Sequence, residues 1–206
     1  MLINCIYIFL SYLLGSISGS LLVGKVFGID IRTLGSKNAG GTNAFRSAGL
    51  KLALPTVIID ILKGFIPAYI FLCDPYLFVW CSFAAILGHV YPIFYGFKGG
   101  KGAGTLIGVI IASYPIFLVY LLPVWIISMI FTGYVGLSTI LAGFTLPILV
   151  LCCDYVVTSS MEGYFFILIS LFILFTHREN VSRIISGTES RFHKMMLFRD
   201  KKKPLK

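Results

Sequence analysis

From Gly102 to Cys153 the chain runs for 52 residues without one Asp, Glu, Lys or Arg. A helix crosses a hydrocarbon core of about 30 Å with about 20 apolar residues, so this run is too long for one crossing. It is also too apolar for a soluble core of this size, where surface-to-volume scaling leaves much of a small domain in water. The whole chain agrees: 12% of its residues are charged and 58% hydrophobic, against about 25% charged in soluble domains. The class is an all-α integral membrane protein. A soluble enzyme, a disulfide-rich secreted domain, a disordered chain and a nucleic-acid-binding module are excluded.

Other apolar runs flank the long one. Residues 2–24 carry no charge, residues 52–73 carry only Asp60 and Lys63, and in residues 75–97 only His89 can carry a charge near neutral pH. A last run, 163–176, precedes a basic tail. The net charge of +9 is therefore read by position. Of the 17 Lys and Arg, all but Lys63 fall in three polar segments: 25–51, the Lys98–Lys101 loop, and the chain after Thr176. The remaining connections carry Asp74, Asp154 and Glu162 and no base. Basic loops stay on the cytoplasmic side, which predicts an N-terminus outside and a C-terminus inside.

Parity then requires an odd number of crossings between Lys101 and Asp154. Three crossings divide the uncharged run into about 17 residues each, short but sufficient, with Tyr114–Pro115, Pro123 and the Gly133–Gly136 stretch as the places for breaks. The expectation is a bundle of about seven transmembrane helices. Five, with re-entrant pieces in the middle, keeps the same orientation. Residues 1–190 read as one domain without internal repeat, and 191–206 as a basic cytoplasmic arm lying on anionic lipid. The N-terminus lacks the basic region and small-residue cleavage site of a signal peptide. The five cysteines have no metal-ligand or disulfide spacing and read as packing.

Three segments predicted to share one face carry the chemistry. The first, Gly35-Ser36-Lys37-Asn38-Ala39-Gly40-Gly41-Thr42-Asn43, has small residues whose backbone N–H groups can curl round an anion, and Arg46 follows as a bidentate phosphate ligand. An ordinary flexible loop fits this composition equally. The second, Phe97-Lys98-Gly99-Gly100-Lys101-Gly102, is a glycine-rich turn leading into an apolar helix, a favourable anion site. Its spacing is not that of a nucleotide-binding Walker loop, so a smaller phosphate fits better. The third, Thr176-His177-Arg178-Glu179-Asn180, places His177 and Asn180 three apart on one helix face. His177 reads as a general base, a phosphate ligand or an interfacial anchor. Asp60 and Lys63, i and i+3 within a span, read first as a paired structural charge. His89 is either a satisfied buried histidine or part of the pocket wall.

Taken in order, the three segments, with Gly88-His89-Val90-Tyr91-Pro92 and Gly187-Thr188-Glu189, resemble the bacterial acyl-phosphate:glycerol-3-phosphate acyltransferase family along nearly the whole chain. The resemblance implies transfer of a long acyl chain from acyl phosphate to glycerol-3-phosphate, giving lysophosphatidic acid and inorganic phosphate. This is the first step of bacterial phospholipid synthesis in the inner membrane, at the cytoplasmic face. It implies no acyl-CoA, acyl carrier protein, cofactor or metal, and a transient coupling to the enzyme that forms the acyl phosphate. It assigns Ser36, His177 and Asn180 to catalysis. Arg46, Thr42, Asn43, Lys98, Gly99, Gly100, Lys101 and Gly102 are assigned to substrate binding, with His89 and Ser138 as support. The base is His177 or an oxygen of a substrate phosphate.

The chain departs from the family pattern at Ala39 (usually Pro), Gly41 (Ala) and Ala103-Gly104-Thr105 (Val-Ala-Thr). Gly133 and Gly136 stand where Arg and Ser are common, and Ser138, two residues on, is a candidate to compensate. Two rival readings remain: a transporter of organic phosphates or anions, and a catalytically weakened lipid-binding relative. Transporters set their sites near the midplane between repeats, whereas the polar segments here fall on one face.

Overall fold

The computed structural model describes residues 1–152 and 160–197, and every regular element among them is helical. The uncharged run divides as expected. It forms α6 (Ala103–Ser113), α7 (Phe117–Thr132) and α8 (Val135–Cys152), broken at Tyr114–Ile116 and at Gly133–Tyr134, while Pro123 stays inside α7. Gly133 closes α7 at φ 70°, a left-handed position that favours glycine.

The N-terminal run does not form one straight helix. It makes α1 (Leu2–Gly15) and α2 (Gly19–Val26), bent by 45° at Ser16–Ser18. After a short helix, α3 (Gly41–Ala48), come α4 (Leu50–Ile70) and α5 (Pro75–Val90). The chain closes with α9 (Met161–Thr176) and α10 (Arg178–Ile185), bent by 47° at His177. Among the described residues, 3 helices are long and apolar enough to cross a membrane, or up to 5 if each bent pair is one span. The other two units of the expected seven are α6 and α7, apolar but only 11 and 16 residues long. Asp154, Cys153 and the basic residues from Arg199 onward lie outside the described residues.

Close helix crossings build the bundle. On the α4–α6 crossing a Cβ at Gly64 or Gly108 would overlap the facing backbone, and the same holds for Gly15 and Gly88 between α1 and α5. Small residues let helix backbones approach in an apolar medium, where dispersion and hydrogen bonds drive association. A core of Phe78, Ile86, Val109, Ile110, Phe117, Phe166, Ile169 and Ile173 joins α5, α6, α7 and α9.

The intramembrane charges repair the α1–α2 break. Lys63 Nζ donates to the Ile17 carbonyl at 2.8 Å and lies 3.0 Å from Asp60 Oδ1, which accepts from the Gly19 N–H at 3.4 Å. A break in an apolar run frees backbone groups that must find partners, and here a buried ion pair satisfies two of them, the Ile17 carbonyl and the Gly19 N–H. The pairing expected from the sequence is present, and His89 joins it with Nδ1 3.4 Å from Asp60 Oδ1.

Candidate active site

One polar cavity of about 400 Å³ collects residues from all three segments: Ser36, Thr42, Asn43 and Arg46 from the first, Lys101 from the second, His177 and Asn180 from the third. Asp60, His89 and Glu189 also line it. Two helix N-termini meet there. Gly40, Gly41 and Thr42 at the start of α3, and Ala103 and Gly104 at the start of α6, form part of the wall. The first N–H groups of a helix have no partner within it and carry partial positive charge, so paired N-termini favour an anion. Gly102 makes the second possible: it is the N-cap of α6 at φ 88°.

The cations are poised for the same kind of ligand. Arg46 donates through Nη2 to the Ser190 carbonyl at 2.9 Å, while its buried Nε has no hydrogen-bond partner among the described residues. Burial lowers the pKa of Arg46, with Glu189 opposing and Arg183 reinforcing the effect. Lys101 donates to Asn180 Oδ1. Its ammonium is pushed below its usual value, first by burial and then by Arg183, against Glu179 and Glu189. A bound phosphate offsets both desolvation costs, since a charge removed from water is stabilised by an opposite one nearby.

His177 sits in the break between α9 and α10, and its tautomer is set by geometry. Nδ1 lies 2.8 Å from the Ile173 carbonyl, which can only accept, so Nδ1 carries the proton and Nε2 is left as an acceptor. Its pKa is pushed down to about 4, chiefly by burial and further by Lys101, with the Ile173 carbonyl and Glu189 opposing. The imidazole is neutral near pH 7.

Other expected site residues are occupied elsewhere. Asn43 is spent on its own loop: Oδ1 accepts from the Ser36 N–H at 3.0 Å, and Nδ2 lies 3.0, 3.0 and 3.1 Å from the carbonyls of Ile31, Leu34 and Asn38. This clamp holds Gly35 and Lys37 at positive φ and presents Ser36 at the pocket. The N–H groups of Gly99 and Gly100 donate to the Val90 and His89 carbonyls, so the turn offers the pocket Lys101 and the α6 N-terminus in place of its own amides. Lys98 is exposed and does not line the cavity. Ser138 does not line it either; it is buried between α7 and α8, donating to the Tyr134 carbonyl at 3.0 Å, with Ser128 Oγ 3.1 Å from its hydroxyl oxygen.

Gly136 gains a reason, because a Cβ there would overlap the Asn180 side chain. Beside Gly133, Arg191 donates to the Tyr134 hydroxyl at 2.9 Å, with its guanidinium over that ring. The start of the basic segment 191–206 is tied to the bundle: the Phe192 N–H donates to the Gly133 carbonyl at 2.7 Å and the Leu197 N–H to the Ile130 carbonyl at 3.1 Å.

Glu189 is the functional candidate that sequence reasoning passed over. Oε1 accepts from Asn180 Nδ2 at 2.8 Å and Oε2 from Arg183 Nε at 2.6 Å, which fixes Asn180 with its oxygen towards Lys101. An acid is not the residue expected beside an anion site. Its signal was its place in the Gly187-Thr188-Glu189 motif.

Comparison with known proteins agrees with the site. The family described as glycerol-3-phosphate acyltransferase matches residues 5–187. The glycerol-3-phosphate acyltransferase of Fusobacterium nucleatum subsp. nucleatum is 39% identical over 195 residues, covering 90% of this chain and 96% of that protein. That of Aquifex aeolicus is 38% identical, covering 88% and 95%. The crystal structure of PlsY (YgiH), an integral membrane glycerol 3-phosphate acyltransferase, in its glycerol 3-phosphate form superposes with a TM-score of 0.86 at 36% identity over 92% of this chain and 95% of the other. Its lysophosphatidic acid form gives 0.83 at 35% identity over 91% and 94%. With the three polar segments gathered at one cavity of an all-helical membrane protein, the chain belongs to the glycerol-3-phosphate acyltransferase family.

Proposed function

We propose that this acyltransferase takes its acyl group from a long-chain acyl phosphate and passes it directly to the sn-1 hydroxyl of glycerol-3-phosphate. The observation that carries the reading is the convergence of Arg46, Lys101 and two helix N-termini on one cavity. Two phosphates held close together repel, and fixed cations and N–H donors offset that repulsion without reorganising during the reaction. The polar cavity shares Ala103, Ile107, Trp125 and Thr139 with an apolar one of about 270 Å³ between α6, α7 and α8. The head group would lie in the first cavity and the acyl chain in the second.

Acyl phosphate is a mixed anhydride with a good leaving group, so alignment of hydroxyl and carbonyl supplies much of the catalysis. The hydroxyl oxygen adds to the carbonyl carbon, the tetrahedral intermediate collapses, and the bond to the phosphate oxygen breaks. The hydroxyl proton leaves on the released phosphate. Burial disfavours the imidazolium at His177, whereas a phosphate monoester has a second pKa of about 6. A phosphate oxygen takes the proton of the sn-1 hydroxyl, and Nε2 of His177, which can only accept, holds the neighbouring sn-2 hydroxyl. Ser36, at the cavity edge, and Asn180, fixed by Glu189, complete the cradle. The charge distribution along the chain supports an N-terminus outside, a C-terminus inside and a cavity reached from the cytoplasm of a bacterial inner membrane. An acyl-phosphate-forming enzyme would supply the donor there.

The test is turnover by purified protein in detergent, with palmitoyl phosphate or palmitoyl-CoA as donor. Lysophosphatidic acid is expected from the acyl phosphate alone, with kcat/KM lowered about 10²-fold or more in Ser36→Ala and His177→Ala. Equal use of palmitoyl-CoA would overturn the donor assignment.

A further inference from the structure

Resting on that placement of the acyl chain, we infer that Gly143 on α8 sets the length of acyl chain this enzyme accepts. Thr139, Ala142, Gly143 and Leu146 follow one another at helical spacing, and all four line the apolar cavity. They form a single stripe facing α6 and α7, with Thr139 at the junction with the polar cavity, where its Oγ1 accepts from Trp125 Nε1 at 3.2 Å. At 1.5 Å per residue the stripe extends about 10 Å beyond that junction, and Gly143 stands about 6 Å along it.

Gly143 differs from the glycines of the helix crossings. A Cβ built there meets nothing within 4 Å, whereas one at Gly64 or Gly108 would strike backbone. Close helix packing therefore does not require this glycine. Its missing side chain leaves space open in the apolar cavity that Leu121 and Leu146 also line. Nor does the helix need it, since glycine is the weakest helix former after proline. A larger side chain at 143 would fill the path of a long acyl chain and leave room near Thr139 for a short one.

The experiment measures kcat/KM for octanoyl and palmitoyl phosphate in wild type, Gly143→Leu and Ala142→Leu, with Leu141→Phe on the exposed face of α8 as control. Purified protein in detergent is used, and size-exclusion chromatography verifies folding. In Gly143→Leu the palmitoyl-to-octanoyl ratio should fall about tenfold or more, since single methylenes in shaped apolar pockets discriminate on that scale. Ala142→Leu, on the same stripe, should shift the ratio in the same direction and carries the test if Gly143→Leu does not fold. Leu141→Phe should leave it unchanged. An unchanged ratio in the folded stripe variants, or an equal loss with both donors, overturns the assignment while the acyltransferase reading stands. A wild type inactive with both donors overturns both.

Discussion

Lys101→Met should lower kcat/KM about 10²–10³-fold while leaving the protein folded, as expected when one preorganised charge donor is removed from a transition state. The ammonium is half-buried, donates to Asn180 and is held below its usual pKa, chiefly by desolvation. In the free enzyme that cation is a cost. It becomes favourable only with anionic substrate in the cavity, so its removal should change stability by no more than about 1 kcal/mol. Steady-state kinetics beside thermal unfolding in detergent separates the two effects. A comparable loss of stability would make Lys101 a structural residue.

Asp60→Ala should do the opposite and destabilise the fold by about 3–5 kcal/mol, the range for breaking a buried ion pair from one side. Lys63 would keep its bond to the Ile17 carbonyl but lose the charge 3.0 Å away, and the Gly19 N–H would lose its acceptor. Adding Lys63→Met to Asp60→Ala should recover part of the loss by removing the orphaned cation. Thermal unfolding of the two singles and the double gives the coupling. A double variant with additive losses would contradict the pairing.

These two predictions mark the boundary of what the sequence discloses. Hydropathy reveals the solvent of a segment, so the division of residues 103–152 into three helices was legible, with Tyr114–Pro115 and Gly133 as its breaks. The convergence of three polar segments followed from charge sorting and from the family resemblance. Partner choice was not legible. Nothing in the spacing tells that Asn43 turns back onto its own loop, or that Ser138 bonds to Tyr134 and Ser128. The α1–α2 bend was hidden because Ser16, Ile17 and Ser18 sit in an uncharged run, and the residue that repairs it, Lys63, lies 46 positions from Ile17. Glu189 was visible as a motif residue, but its role depends on Asn180 and Arg183 meeting it after α10 turns. Such hydrogen bonds join residues that only the folded chain brings together.

Direct transfer is the centre of the proposed mechanism, and a rapid-mixing measurement of phosphate release tests it. Enzyme at high concentration is mixed with palmitoyl phosphate, first without and then with glycerol-3-phosphate. Direct transfer predicts no early phosphate release in the first case, and in the second one phosphate for each lysophosphatidic acid formed. A burst of phosphate equal to the enzyme concentration before glycerol-3-phosphate is added would show an acyl-enzyme and contradict the account.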